Sequence, residues 1–191
     1  MPEEKSSLWS TVVDVIETVV VAAAIFVVVY LFLLQPHQVR GASMKPNFQD
    51  GQYILTDKIS YRFAQPKRGE VIIFKAPTDM DVDFIKRIIG LPGERVKISD
   101  GKVTIYNDQN KNGFVLNEPY QTLGPTSGGK EAPQNTEVTI PKDQYFVLGD
   151  NRLESFDSRS WGTLPKKNII GKAWLRYWPL SQIGFITHPT Y

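Results

Sequence analysis

The chain has 191 residues, no cysteine and a formal net charge of +2. The missing thiol excludes cysteine nucleophiles and cysteine-based zinc sites, the small charge argues against nucleic-acid binding, and the length suits one domain of about 100–150 residues plus an appendage. Residues 1–40 carry Lys5 and Arg40 against Glu3, Glu4, Asp14 and Glu17, so the remainder is more basic than the whole. A mildly cationic domain beside anionic lipid would be drawn weakly to it; a normally solvated mixed surface accounts for the same composition.

The first predicted element is a membrane anchor. Residues 19–34, VVVAAAIFVVVYLFLL, are sixteen consecutive apolar residues, and no side chain in 18–38 is formally charged at neutral pH. A bilayer core needs about 20 helical residues, so the run spans if its polar flanks supply the last turns. A cleaved signal peptide would start basic and have a core of about 7–15 residues, whereas this chain starts MPEEK. A buried core helix apolar on every face would be unusual in so small a domain. The charge bias does not fix the orientation, since Arg40 and Lys45 on one side balance Lys5 and the amino terminus on the other.

Short alternating or β-branched segments follow at 53–56, 70–74, 84–90, 95–98, 102–106, 137–140, 144–148 and 169–178, separated by turn pairs such as Asp50-Gly51, Pro92-Gly93, Asp100-Gly101 and Asn112-Gly113. The pattern predicts a mostly β, antiparallel domain of barrel or sandwich type. Residues 107–136, rich in Asn, Gly, Pro and Gln, read as a loop or hairpin excursion. The expected division is 1–38 for tail and anchor and 39–191 for the β-rich domain. Among Trp174, Tyr177 and Trp178, core packing is expected for at least two, with a place at the bilayer interface as the alternative.

Histidine is the usual base for a serine nucleophile, yet the chain has only His37, beside the apolar run, and His188, near the C-terminus. They read as an interfacial residue and a loose tail, which disfavours a Ser-His-Asp triad and leaves neutral lysine as the other base. Such a lysine must shift down by about 2–3 units or more, through desolvation or neighbouring positive charge. Strand alternation in DFIKRIIG puts Phe84, Lys86 and Ile88 on one face and Ile85, Arg87 and Ile89 on the other. A lysine between Phe and Ile is either buried or snorkelling from an edge strand, and the pattern alone leaves both open.

Three separated blocks resemble the bacterial type I signal peptidases. GASMKPNF, residues 41–48, is similar to the family's Ser-Met-x-Pro block; KRIIGLPGE, 86–94, matches its lysine block; and GDNRLESFDSR, 149–159, matches the third at every fixed position. The resemblance covers nearly the whole chain. Asn47 and Phe48 depart from the Thr and Leu or Met usual after the proline, and Ala42 stands where glycine or another small or polar residue often precedes the serine.

The resemblance implies a Ser43 nucleophile and a Lys86 general base, with Ser155 orienting the lysine. It implies an oxyanion held by the Ser43 N–H, because Gly41 lacks the hydroxyl some relatives carry there. Asp157 and Arg159 would form a supporting ion pair, and Arg87, Asp150, Asn151 and Arg152 would brace the same region. Val39, Met44 and Ile85 would line shallow pockets for small side chains at positions −1 and −3 of the substrate. Small residues at 41 and 42 would let the substrate backbone approach, and Pro46 would stiffen the turn. The implied partners are signal peptides of exported preproteins and membrane lipid, with no nucleic acid, metal or cofactor. The implied location is the cell membrane, single-pass, with the catalytic domain on the extracytoplasmic side. Two rivals remain: a self-cleaving Ser-Lys protein of the SOS-repressor type, which would carry a DNA-binding region in place of the anchor, and a membrane-tethered β module without activity.

Overall fold

The computed structural model describes residues 8–189 and 191, without the side chains of 8, 31 and 32. Helix α1, Leu8–Val28, continues as a wide π-helical turn, Val29–Leu33. Within Trp9–Val28 its most apolar 18-residue stretch has a mean hydropathy of 2.4, and none of that stretch is buried against protein. Twenty residues rise about 30 Å, the thickness of a bilayer core. The helix thus begins earlier than the apolar run, taking in Asp14 and Glu17 near its N-terminal end.

Beyond it come β1 (Leu34–Gln38), β2 (Tyr53–Asp57), β3 (Val71–Ala76), β4 (Asp79–Gly90), β5 (Arg95–Ser99), β6 (Lys102–Tyr106), β7 (Phe114–Val115), β8 (Glu137–Thr139), β9 (Gln144–Leu148), β10 (Leu164–Pro165), β11 (Ile169–Trp178) and β12 (Gly184–Phe185). Two short α-helices interrupt them, α2 (Ser60–Phe63) and α3 (Ser158–Trp161), with 3-10 turns at Lys166–Asn168 and Leu180–Gln182. Every ladder is antiparallel. The large sheet runs β1-β2-β11-β3-β4-β9-β10 with β12 on β11, and the small one runs β7-β6-β5-β8.

Every expected strand is present, and period-2 burial in β2, β5 and β6 matches the alternation that predicted them. Residues 34–38 differ from expectation: assigned to the anchor, they form β1 and pair with β2 from Leu34↔Asp57 to Gln38↔Tyr53. Pro36 hides this strand from a sequence reading, but a proline is tolerated on the edge of a sheet, which is where β1 lies. The backbone N–H of Lys58 donates to the Leu33 carbonyl (2.9 Å), tying the end of the helical segment to the domain.

The large sheet coils strongly. His37 on β1 and Asp83 on β4 are separated in strand order by β2, β11 and β3, yet their side chains come within 3.3 Å. Between β1 and the part of β4 ahead of Arg87, which β9 does not pair, lies a cleft floored by one of three apolar clusters, which includes Val39, Met44, Phe48, Ile54, Ile73 and Ile85. The excursion at 107–136 packs back on the domain, burying Leu116, Tyr120 and Ala132 against the small sheet.

Candidate active site

Residues 41–47 form a turn beyond β1, anchored by Met44 and Phe48, 1% and 2% exposed. Gly41 has φ +87°, in the left-handed region glycine tolerates best, and its N–H donates to Asp50 Oδ1 (2.7 Å). Ser43 is thereby presented at the cleft, and among the described residues nothing accepts from its N–H. That leaves a donor beside the hydroxyl for an oxyanion, as the family resemblance implied.

Lys86 sits mid-strand on β4, across from Ile72 of β3, and is buried, 4% exposed. Its Nζ lies 2.9 Å from Ser43 Oγ and donates to the Ile85 carbonyl at 2.9 Å. The buried alternative therefore holds over the snorkelling one. Burial lowers the pKa of the Lys86 ammonium to about 8, against the opposing pull of Asp157 and Asp150. Both carboxylates have guanidinium partners. Arg87, pointing to the opposite face of β4, holds Asp150 with two bonds of 2.8 and 2.7 Å, and Arg159 holds Asp157 with bonds of 2.8 and 2.9 Å.

The 149–159 loop ties the parts together. Asn151 donates from its backbone to the Ser43 carbonyl (3.0 Å) and from its side chain to that of Ala42 (3.2 Å). Arg152 donates to the Gly149 carbonyl (3.0 Å) and pairs with Glu118 and Thr126 of the excursion. A Cβ at Gly149 would stand 2.2 Å from Ser155 Oγ and 2.4 Å from the Ser43 carbonyl, so only glycine fits where these segments meet.

Two expected roles differ. Ser155 Oγ is buried beside this junction but makes no hydrogen bond, to Lys86 or to any other described group; in this geometry the lysine's contacts are Ser43 and the Ile85 carbonyl. Val39 and Ile85 line the cleft, whereas Met44 points into the core beneath it.

The cleft, about 400 Å³, also takes walls from Ile54, Ile73, Phe84 and Phe156, and ends at His37 and Asp83. His37 is therefore a cleft residue, with Nδ1 2.8 Å from Thr56 Oγ1. Its Nε2 is near Asp83 but not aligned to bond, and burial lowers its pKa against the opposing pull of Asp83. His188 is no loose tail: its Nδ1 accepts from the Val71 N–H (3.3 Å). Trp174 and Trp178 are 38% and 50% exposed, against the expectation of core packing. Alternation places 37 with 39 and 83 with 85, but only the coiling of the sheet reveals that the two pairs face each other.

A family model described as signal peptidase, peptidase S26, matches residues 12–178. The chain belongs to that family. A relative from Synechocystis sp. named "Probable signal peptidase I-2" is 36% identical over 97% of this chain and 82% of its own length. "Signal peptidase I V" of Bacillus subtilis is 36% identical over 87% and 96%. A crystal structure of a signal peptidase I from Enterococcus faecalis V583 is 30% identical, covers 57% of this chain and 97% of its own, and aligns with a TM-score of 0.46. Family membership makes the chain a peptidase of signal peptides and disfavours the tethered module without activity.

Proposed function

We propose that the chain cleaves signal peptides from exported preproteins with Ser43 as nucleophile and Lys86 as general base. The observation that carries this reading is the 2.9 Å contact between Ser43 Oγ and a buried Lys86 Nζ. Burial favours the neutral amine, which can take the Ser43 proton as Oγ attacks the scissile carbonyl. The oxyanion meets the Ser43 N–H. Lys86 then returns the proton to the departing amine of the mature chain, leaving the signal peptide as an ester on Ser43. In the second half Lys86 deprotonates water, the hydroxide attacks the ester, and Ser43 recovers its proton as the signal peptide leaves with a new carboxylate.

Specificity for small residues at −1 and −3 is supported by the narrow apolar walls of Val39, Ile54, Ile73 and Ile85. An extended substrate fits between the edges of β1 and β4 as an added strand, which turns alternate side chains into the same wall. The anchor holds the site near lipid, and the exposed Trp174, Trp178, Leu180, Ile183 and Phe185 around β11 and β12 support contact with it. This reading sets the catalytic domain on the extracytoplasmic side, because the cleavage site of a translocated preprotein emerges there.

The test is cleavage of a purified preprotein by wild type and by Ser43→Ala, Lys86→Ala and Lys86→Arg. All three variants should be inactive while folded, the last because guanidinium cannot serve as a base. A preprotein with Phe for Ala at −1 should resist the wild type. Activity in either alanine variant sinks the residue assignment concerned.

A further inference from the structure

Ser43 and Lys86 come from distant parts of the chain, so something must hold the nucleophile turn in register with the base strand. Asn151 secures one end of that turn through the carbonyls of Ala42 and Ser43. At the other end Asn47 spends both amide hydrogens, one on the Tyr120 carbonyl (2.8 Å) and one on Asp150 Oδ2 (2.8 Å). Asp150 is fully buried and is the same carboxylate that Arg87 grips, one residue from Lys86. The ring of Tyr120 in turn covers the Arg87 guanidinium at 4.0 Å, and Arg176 donates to the Asn47 carbonyl (2.8 Å). Asn47 is therefore where the nucleophile turn, the excursion and the clamp on β4 all meet. This is also the position at which the sequence departs from the threonine usual in the family.

We propose that Asn47 is a positioning residue for the Ser43–Lys86 pair: its carboxamide ties the turn carrying the nucleophile to the Asp150–Arg87 clamp on the strand carrying the base. The proposal rests on the Ser43–Lys86 reading. It follows from donor chemistry: a carboxylate gripped by a guanidinium can only accept, so the residue at 47 must donate to Asp150. A leucine of similar size cannot. An aspartate can do so only while protonated, and its ionised form adds a charge that favours the Lys86 ammonium. Asp157 and Asp150 act on that ammonium through their charge, each with a guanidinium partner, Arg159 and Arg87, and the cleft beside it is also lined by His37, Arg40, Asp83 and Glu154.

The experiment measures kcat, KM and thermal unfolding across a pH series for wild type, Asn47→Leu and Asn47→Asp, with Ser43→Ala and Lys86→Ala alongside. Asn47→Leu should lower kcat about 10- to 100-fold, the scale of a small misplacement of reacting groups, with KM changed less than about twofold. The activity of Asn47→Asp relative to wild type should be lowest near neutral pH and recover as pH falls, when the introduced carboxyl takes a proton and can donate again. A kcat for Asn47→Leu within about twofold of wild type, or a pH-independent ratio for Asn47→Asp, overturns the proposal. If Asn47→Leu fails to fold, the pH series on Asn47→Asp decides. Inactive Ser43→Ala and Lys86→Ala beside unaffected Asn47 variants would defeat this inference alone, whereas active alanine variants would defeat the dyad beneath it.

Discussion

Lys86 shows at the scale of one residue how stability and activity are set against each other. Its folded pKa of about 8 lies below the ordinary 10.5 because burial penalises the ammonium. Below the folded value both folded and unfolded chains hold the proton, and the full cost of the buried charge weighs on the fold. Between about 8 and 10.5 the unfolded chain binds more protons, so stability rises with pH across that window. The same shift makes the neutral base available, and kcat/KM should climb with pH through about 8 and level off above it. Lys86→Met keeps length and removes the charge. It should be inactive yet more stable than wild type at neutral pH, by up to about 3 kcal/mol, the free-energy equivalent of the shift, with the gain vanishing at high pH. Denaturant unfolding at several pH values measures this, and a variant less stable than wild type at every pH would contradict the burial argument. Alternation placed Lys86 correctly between Phe84 and Ile88, but the choice between buried and snorkelling depended on Ser43 and the 149–159 loop, which lie outside its local pattern.

At the scale of elements, the 149–159 loop is a spacer whose thickness sets the site. Gly149 lies between Ser155 and the Ser43 carbonyl with no room for a methyl group. Gly149→Ala should push the nucleophile turn away from Lys86 and lower kcat while the strands persist. Adding Ser155→Ala should not restore it, because the backbone carbonyl of Ser43 remains in the way at 2.4 Å. Rates with a peptide substrate and far-ultraviolet dichroism test this, and full rescue by the double variant would show that Ser155 alone was the obstacle. This loop was legible in the sequence as a motif, and Asp157 pairs with Arg159, but the bond expected from Ser155 to Lys86 is not formed. Strands β2, β5 and β6 were legible because one face is buried and the other is not, β3 and β9 because their short apolar runs are buried on both faces, and Asp100-Gly101 marks the β5–β6 hairpin with both residues at positive φ. β1 was not, since Pro36 and the adjoining apolar run masked it. The contact of His37 with Asp83 was out of reach for another reason: it depends on accumulated sheet twist across several strands, which no local pattern encodes.

For the whole molecule, the question is where the anchor stops and the catalytic unit starts. The helical segment ends at Leu33, and Leu34 already pairs with Asp57. Removing residues 1–33 therefore takes away the lipid-facing helix and one tie, the Leu33 carbonyl that accepts from Lys58. Removing residues 1–38 also takes away β1, and with it His37 and Gln38 from the cleft and the strand partner of β2. The shorter deletion should cleave a soluble signal-peptide analogue with kcat/KM close to that of the full chain. It should process a preprotein in lipid vesicles more slowly, because the anchor no longer concentrates enzyme and substrate in one plane. The longer deletion should lose activity on both substrates, since the substrate strand has no β1 edge to lie against and the freed edge of β2 is open to self-association. Peptide and vesicle rates for the two truncations, with light scattering as a control, test the boundary. Equal peptide activity in both would show that β1 is dispensable and that the cleft is built by β4 and the 149–159 loop without it.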